Sequence, residues 1–260
     1  MDNVEKFPVQ RIDHEGKIDT EAEVIKEIPL TIILNDRELV TLLCSPVNLK
    51  YLAIGFLFSE GFLNNKDEIK KVMVDDQRGV VRVETFVDKG AESEVAFKRL
   101  ITSGCGRGAS FYSAADATDR KVDSQMKMSP DEIFALVKEF QHSSKVYLAT
   151  HGAHSCALCD NRKILVFSED IGRHNAVDKI FGECILNDIP TRDRLLITSG
   201  RVSSEILHKV AKREVPILIS ISVPTSLGVR LASDLGITLI GFVRGRKMNV
   251  YTHGWRVVTN

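Results

Sequence analysis

The chain has 260 residues, 43% of them hydrophobic and 27% charged, and its 35 basic and 35 acidic side chains cancel. That is enough apolar content for a sizeable core in one large domain or two smaller ones, and the charge balance argues against a protein that wraps nucleic acid, which carries a basic excess. Residues 1–6 lack the apolar core of a secretory signal, runs such as 217–223 fall far short of the roughly 20 residues of a membrane helix, and five irregularly spaced cysteines do not form a disulfide framework, so the expectation is a reduced, cytoplasmic protein with mostly buried thiols and with neither nucleic acid nor membrane as partner.

Residues 1–22 are polar and read as a loose or edge segment. Residues 29–34 and 38–44 read as two strands joined by the turn signal Asn35-Asp36, a hairpin. Residues 49–59 carry Leu52, Ile54, Phe56 and Leu57 at helical spacing, with Gly61 as a stop. Residues 72–86 alternate β-branched and charged side chains as half-buried strands do. Residues 23–112 therefore read as a small α+β domain. A glycine-punctuated stretch, 102–110, leads into a polar connection, and Ser129-Pro130-Asp131-Glu132 is a capping box with proline at the first helical position, opening a helix to about residue 142.

Beyond it the rhythm becomes strand and helix in alternation. Strands are predicted at 146–150, 163–167, 194–198, 217–223 and 238–243, and helices at 174–187, 203–212 and 226–235. Nearly continuous apolar strands between helices mark an α/β sheet covered on both faces, and ligands of such sheets sit past the carboxyl ends of the strands. Three loops of interest fall there: Ser199-Gly200-Arg201, Pro224-Thr225-Ser226 and Arg244-Gly245-Arg246-Lys247.

Among residues that can carry chemistry, Cys105 is the sharpest. Gly104 and Gly106 flank it, and Arg107 and Gly108 follow. Glycines leave the sulfur approachable and free backbone N–H groups to face an anion, and Arg107 adds positive charge, all of which favour the nucleophilic thiolate. Cys156 and Cys159 form a C-x-x-C pair after His151 and His154, readable as buried structural thiols, a redox or relay dithiol, or part of a zinc site. Residues 168–175 join a strand to a helix, and their acids, glycine and Arg173-His174 pair suit either an anionic ligand or ordinary capping. The segment Phe242, Val243, Arg244, Gly245, Arg246, Lys247 ends a strand with three cations, which suits phosphate.

These motifs carry a resemblance. Ser103-Gly104-Cys105-Gly106, residues 169–179, Thr198-Ser199-Gly200-Arg201, Pro224-Thr225-Ser226-Leu227 and Gly241-Phe242-Val243-Arg244-Gly245 resemble those of the FdhD family, as do Pro29-Leu30-Thr31 and residues 55–61, covering about 25–255 of the chain. The resemblance implies a small N-terminal α+β domain and, over 113–260, a mixed α/β domain similar to cytidine deaminase, so α+β overall. It implies a sulfurtransferase that takes sulfur from a cysteine desulfurase as a persulfide on Cys105. The sulfur would pass to the bis-molybdopterin guanine dinucleotide form of the molybdenum cofactor for formate dehydrogenase. Residues 242–247 match the cofactor-binding segment, with Arg201 and Arg173 as helpers, and GDP or related guanine nucleotides are expected ligands. A homodimer would set two nucleotide sites near one another.

The family loop is often C-x-x-C, whereas Gly108 holds the fourth position here, leaving Cys105 to act alone or with help from Cys156 or Cys159. Deaminase chemistry needs H-x-E and P-C-x-x-C, yet His151 is followed by Gly152-Ala153 and Cys156 has no preceding proline. No resident metal is expected. The alternatives are a zinc-dependent hydrolase on His151, His154, Cys156 and Cys159, and a non-catalytic cofactor chaperone.

Overall fold

The computed structural model describes residues 3–87, 98–101, 109–112 and 121–259, the second and third stretches through their backbone only. Strands β1 (Val4–Asp13) and β2 (Gly16–Ile25) pair along their whole length as an antiparallel hairpin. This corrects the expectation of a loose segment over 1–22. The register sets Phe7 opposite Ala22 and Val9 opposite Thr20 on one face, and Lys6 opposite Glu23 and Pro8 opposite Glu21 on the other. The ribbon is thus two-sided, but its strands stay largely exposed, so its composition alone reads as unstructured.

The next elements follow their patterning. Strands β3 (Ile28–Leu34) and β4 (Arg37–Cys44) meet at Asn35 and Asp36, whose positive φ values of 46° and 62° are the left-handed pair a tight hairpin turn requires. Helix α1 (Leu49–Ser59) follows, then β5 (Ile69–Asp75) and β6 (Val80–Thr85), giving a sheet in the order β4-β3-β6-β5 with β3 and β6 parallel. Leu30, Ile32, Val81 and Val83 on the sheet close over Leu52 and Leu57 of α1. Strands β7 (Lys98–Ile101) and β8 (Ala109–Tyr112) pair with each other antiparallel. Cys105 and Arg107 lie in 102–108 between them, outside the described residues.

Helix α2 (Pro130–Ser143) begins at the expected capping box: Ser129 accepts from the Glu132 amide while Glu132 accepts from the Ser129 amide. Residues 146–150, expected as a strand, belong instead to helix α3 (Lys145–Thr150). The carboxylate of Glu169 accepts from the amides of Val146 and Tyr147 at 3.0 Å each, capping this helix from a distant part of the chain. Strand β9 (His154–Cys159), which contains the C-x-x-C pair, pairs with β10 (Ile164–Asp170); helix α4 (Arg173–Leu186), strand β11 (Leu195–Thr198), helix α5 (Ser204–Lys212), strand β12 (Ile217–Ser220), helix α6 (Ser226–Asp234) and strand β13 (Thr238–Arg244) follow. A last strand, β14 (Lys247–Val250), turns the basic segment into a hairpin tip. The mixed sheet runs β10-β9-β11-β12-β13-β14. Helices α4, α5 and α6 cover the face bearing Leu158, Leu196 and Leu218, and α2 covers the face bearing Ala157, Ile197 and Ile219.

The two sheets are joined by α1 lying on α4. A Cβ on Gly55 of α1 would sit 1.8 Å from the Asp178 carbonyl oxygen, so only glycine permits this approach. Ile185 of α4 also enters the core of the N-terminal unit. The observed architecture is α+β, with the helices and mixed sheets the sequence implied.

Candidate functional site

Strands β10, β11, β12 and β13 all run in one direction, because β9 is antiparallel to both β10 and β11 while β11, β12 and β13 are mutually parallel. Their carboxyl ends therefore share one edge of the sheet. That edge collects Asp170 to His174, Ser199 to Arg201, Pro224-Thr225 and the 242–247 hairpin, together with the start of β9 at His154.

Most of the 169–179 motif is spent on structure. The Asp170 carboxylate accepts from the amides of Gly172 (2.9 Å) and Ser45 (3.1 Å), from the Ser45 hydroxyl (3.0 Å) and from Asn175 Nδ2 (2.9 Å), and it contacts Lys179 Nζ at 2.7 Å. Both charged side chains are wholly excluded from solvent. Further along α4, Asp178 accepts from Lys209 Nζ at 2.6 Å and from the Ser59 hydroxyl at 2.7 Å. Buried charges persist only when paired and hydrogen-bonded in this way. Capping and stapling, not ligand binding, occupy Asp170, Asn175, Asp178 and Lys179.

Arg173 and His174 face the edge. The Cβ, Cγ and Cδ of Arg173 lie across Gly200, where any side chain would collide with them. His174 Nε2 sits 2.9 Å from the Glu205 carboxylate on α5. The His154 ring pairs with the Ser199 hydroxyl at 3.2 Å, and that hydroxyl also accepts from the Ser155 amide. Burial first, then the neighbouring Arg173 and His174, lower the pKa of His154, against an opposing pull from Asp170 and with a last, smaller push from Arg201. Glu205 is held below the usual carboxylate range, first by its hydrogen bond with His174 and against the cost of burial. Sequence reasoning selected Arg173 and Arg201, and the fold brings them around His154. Glu205 escaped it, since no local pattern marks a residue that meets its partner through tertiary packing.

At the other end of the edge, a register shift between Gly241 and Arg244 marks a bulge in the β13–β14 pair. Within it Phe242 has a φ of 57°, a conformation costly for an aromatic residue and one that collects at functional sites. The bulge leaves the Phe242 ring 41% exposed with the Arg244 guanidinium 4.5 Å from its centroid. Gly245, with φ 58°, makes the turn, and Lys247 is exposed. Arg246 meets Asp131 of α2 at 2.9 Å, an exposed pair of little energetic weight. Val243 is 1% exposed and packs in the core beneath, so its side chain is not offered to a ligand.

The C-x-x-C pair is corrected by strand geometry. Cys156 and Cys159, three apart on β9, belong to the cores on opposite faces of the sheet. They can neither pair with each other nor chelate one ion, which removes the redox-dithiol and zinc readings. Among the described residues, no group of three or more His, Cys, Asp or Glu side chains is placed to hold a metal. Burial pushes the thiols of Cys44 and Cys184 up to about 12, and raises Cys156 and Cys159 as well. None of the four is a thiolate at neutral pH.

The pattern of the FdhD/NarQ family matches residues 25–258. The chain belongs to this family. Its FdhD relatives include the sulfur carrier protein FdhD of Bacillus subtilis, 45% identical over 91% of both chains, and that of Staphylococcus aureus, 42% identical over 96% of this chain and 95% of the relative. A crystal structure from Desulfotalea psychrophila, of a protein assigned as a formate dehydrogenase accessory protein, superposes with a TM-score of 0.84 at 28% identity, covering 98% of this chain and all of that one. This FdhD/NarQ chain shares the fold of that crystal structure along nearly its whole length. Among its described residues, no helix is long and apolar enough to cross a membrane.

Proposed function

We propose that this chain is a sulfur carrier serving formate dehydrogenase, with Cys105 as the atom that carries the sulfur. The observation that carries the choice of residue is the burial of the other four cysteines, each with its thiol pushed out of the ionising range. Sulfur transfer needs a thiolate, and Cys105 has the sequence context to supply one. The role itself rests on the family and on relatives named sulfur carrier proteins.

In this reading the Cys105 thiolate attacks the terminal sulfur of a persulfide on a cysteine desulfurase. A new S–S bond forms, the donor's S–S bond breaks, and the donor cysteine leaves as a thiolate. The Cys105 persulfide then passes its terminal sulfur to the molybdenum of the bis-molybdopterin guanine dinucleotide, which is substrate here: the Cys105 S–S bond breaks, a molybdenum–sulfur bond forms, Cys105 returns as a thiolate, and the two electrons that bring the sulfur to the sulfide level come from a reduced molybdenum centre of that substrate. The edge described above suits such a client. Phe242 and Arg244 offer a planar surface for guanine, and Arg244, Arg246 and Lys247 offer donors for pyrophosphate. Arg201 and Arg173 extend the cationic edge. A homodimer would present two such edges to a ligand with two nucleotide arms.

Incubation with a cysteine desulfurase and cysteine, followed by mass spectrometry of the intact protein, tests the reading. The expected result is a 32 Da (one sulfur atom) gain on the Cys105 peptide that is absent from Cys105→Ala. Sulfur on a different cysteine, or formate dehydrogenase activation that survives Cys105→Ala, overturns it.

A further inference from the structure

The β1–β2 ribbon has two faces of different make. On one, Lys6 and Glu21 pair at 3.6 Å and Gln10 donates to Asp19 at 3.1 Å, so its polar groups answer one another. At the base of the ribbon Ile25, on this same face, lies over Gly152 just past α3, which turns the face toward the body there. The other face carries Phe7, Val9, Ile18, Ala22 and Val24 as a continuous apolar stripe. Phe7 is 45% exposed, Val24 42% and Ile18 56%. A charge stands at each end of the stripe, Glu5 opposite Val24 and Arg11 opposite Ile18. Both are exposed, and among the described residues neither makes an ion pair. Six positions apart on one strand, they lie about 20 Å from each other and cannot pair within the chain.

A two-stranded ribbon alone is marginal in water, and an exposed apolar stripe rimmed by charge marks a contact surface. What fits this stripe is the stripe itself. A second copy can be laid on it by a two-fold axis that crosses both strands midway between Phe7 and Val9 and between Thr20 and Ala22, which the register sets side by side. The two β1 strands then stack antiparallel, and so do the two β2 strands. Phe7 meets the partner's Val9, Ile18 meets the partner's Val24, and Glu5 meets the partner's Arg11. Every contact is made twice, as two-fold symmetry requires. A two-fold along the ribbon would instead set Glu5 on the partner's Val24 and Arg11 on the partner's Ile18, stranding charge on apolar groups. Charge therefore selects the crossing axis.

We propose that two copies of this chain clasp each other through their β1–β2 ribbons, stripe against stripe, with Glu5 on the partner's Arg11 at both ends. The covered stripe measures about 30 by 10 Å, so the clasp hides roughly 600 Å² over both copies, well below a standard interface of about 1,600 Å². The clasp is accordingly weak and concentration-dependent. It rests on the homodimer reading above only for the number of copies, and the sulfur-carrier assignment, tested on Cys105, stands or falls separately.

Sedimentation velocity of the full chain over a micromolar concentration series is the test. The average mass of the unsubstituted chain should rise with concentration. Glu5→Arg sets like charges together at both ends of the clasp, and so does Arg11→Glu; each should weaken the association several-fold. An equimolar mixture of the two variants should regain it, because every end then holds opposite charges, and the chain carrying both substitutions should regain it too. Phe7→Ser should lose the association with no rescue in any mixture. A contact between copies elsewhere would raise the starting mass but would show no rescue by charge exchange. Three results overturn the clasp. A mass that does not rise in the unsubstituted chain leaves the stripe to a different protein. Association unchanged in both single variants places the contact between copies on another surface. A mixture that stays as dispersed as its components breaks the pairing of Glu5 with the partner's Arg11.

Discussion

Gly55 on α1 and Gly182 on α4 face each other where the helices cross, so closely that a Cβ on Gly182 would stand 2.8 Å from the Gly55 amide nitrogen and 1.9 Å from the Tyr51 carbonyl oxygen. Backbone cannot yield as a side-chain tip can. Gly182→Ala must therefore separate the helices and open the junction between the two sheets, at a cost of about 2–4 kcal/mol. Gly55→Ala should do the same. Urea denaturation of both variants checks this, with Gly61→Ala as a control of a different kind: its Cβ meets nothing, and its cost is confined to the positive φ of 82°.

Native-state alkylation follows from the buried thiols. Treated with iodoacetamide near pH 8 without denaturant, the protein should take up one label, on Cys105. Four further labels should appear only after unfolding, matching the four buried cysteines. Rapid native labelling of Cys156 or Cys159 would contradict the strand geometry of β9.

His154 links stability to pH. Its folded pKa lies below the ordinary 6.5 because burial first, and then the neighbouring Arg173, His174 and Arg201, disfavour the imidazolium. Between 6.5 and that lowered value the unfolded chain binds a proton the folded chain refuses, so stability falls as pH drops below 6.5. His154→Asn removes the titration and should flatten this part of the profile. Denaturation midpoints measured from pH 7.5 to 5 in both proteins give the comparison.

Phe242 separates fold from ligand. Replacing it with glycine relieves the positive φ but loosens the unfolded chain, so stability should stay within about 1 kcal/mol of the original. Loss of the exposed ring should weaken guanine-nucleotide binding about tenfold or more, the scale of one base–aromatic stack. Calorimetry with GDP reads the second effect and thermal denaturation the first.

Much of this fold is legible in the sequence where local chemistry and tertiary packing agree. The Ser129–Glu132 capping box, the Asn35-Asp36 turn and the apolar strands of residues 195–198 and 217–220 appear as their patterns imply. Residues 146–150 fail because Val146, Tyr147 and Leu148 favour a strand in isolation, while the cap that makes them helical comes from Glu169. The β1–β2 ribbon is missed because its apolar face is thin and uncovered. At the edge, Arg173, Arg201, Phe242 and Arg244 could be chosen by residue type. That Asp170 and Lys179 are structural could not, since their partner Ser45 is remote in the chain.

That remoteness bears on synthesis. Ser45 and Asp170 stand 125 positions apart, so at about 5–20 residues per second the ribosome needs roughly 6–25 s to deliver the helix that α1 must lie against. Throughout that interval Gly55 of α1 lacks the helix it packs against, and the N-terminal core lacks Ile185. A nascent chain of this kind is a natural client for a holdase, and one truncated before residue 182 should aggregate on release, not accumulate as a tidy N-terminal fragment.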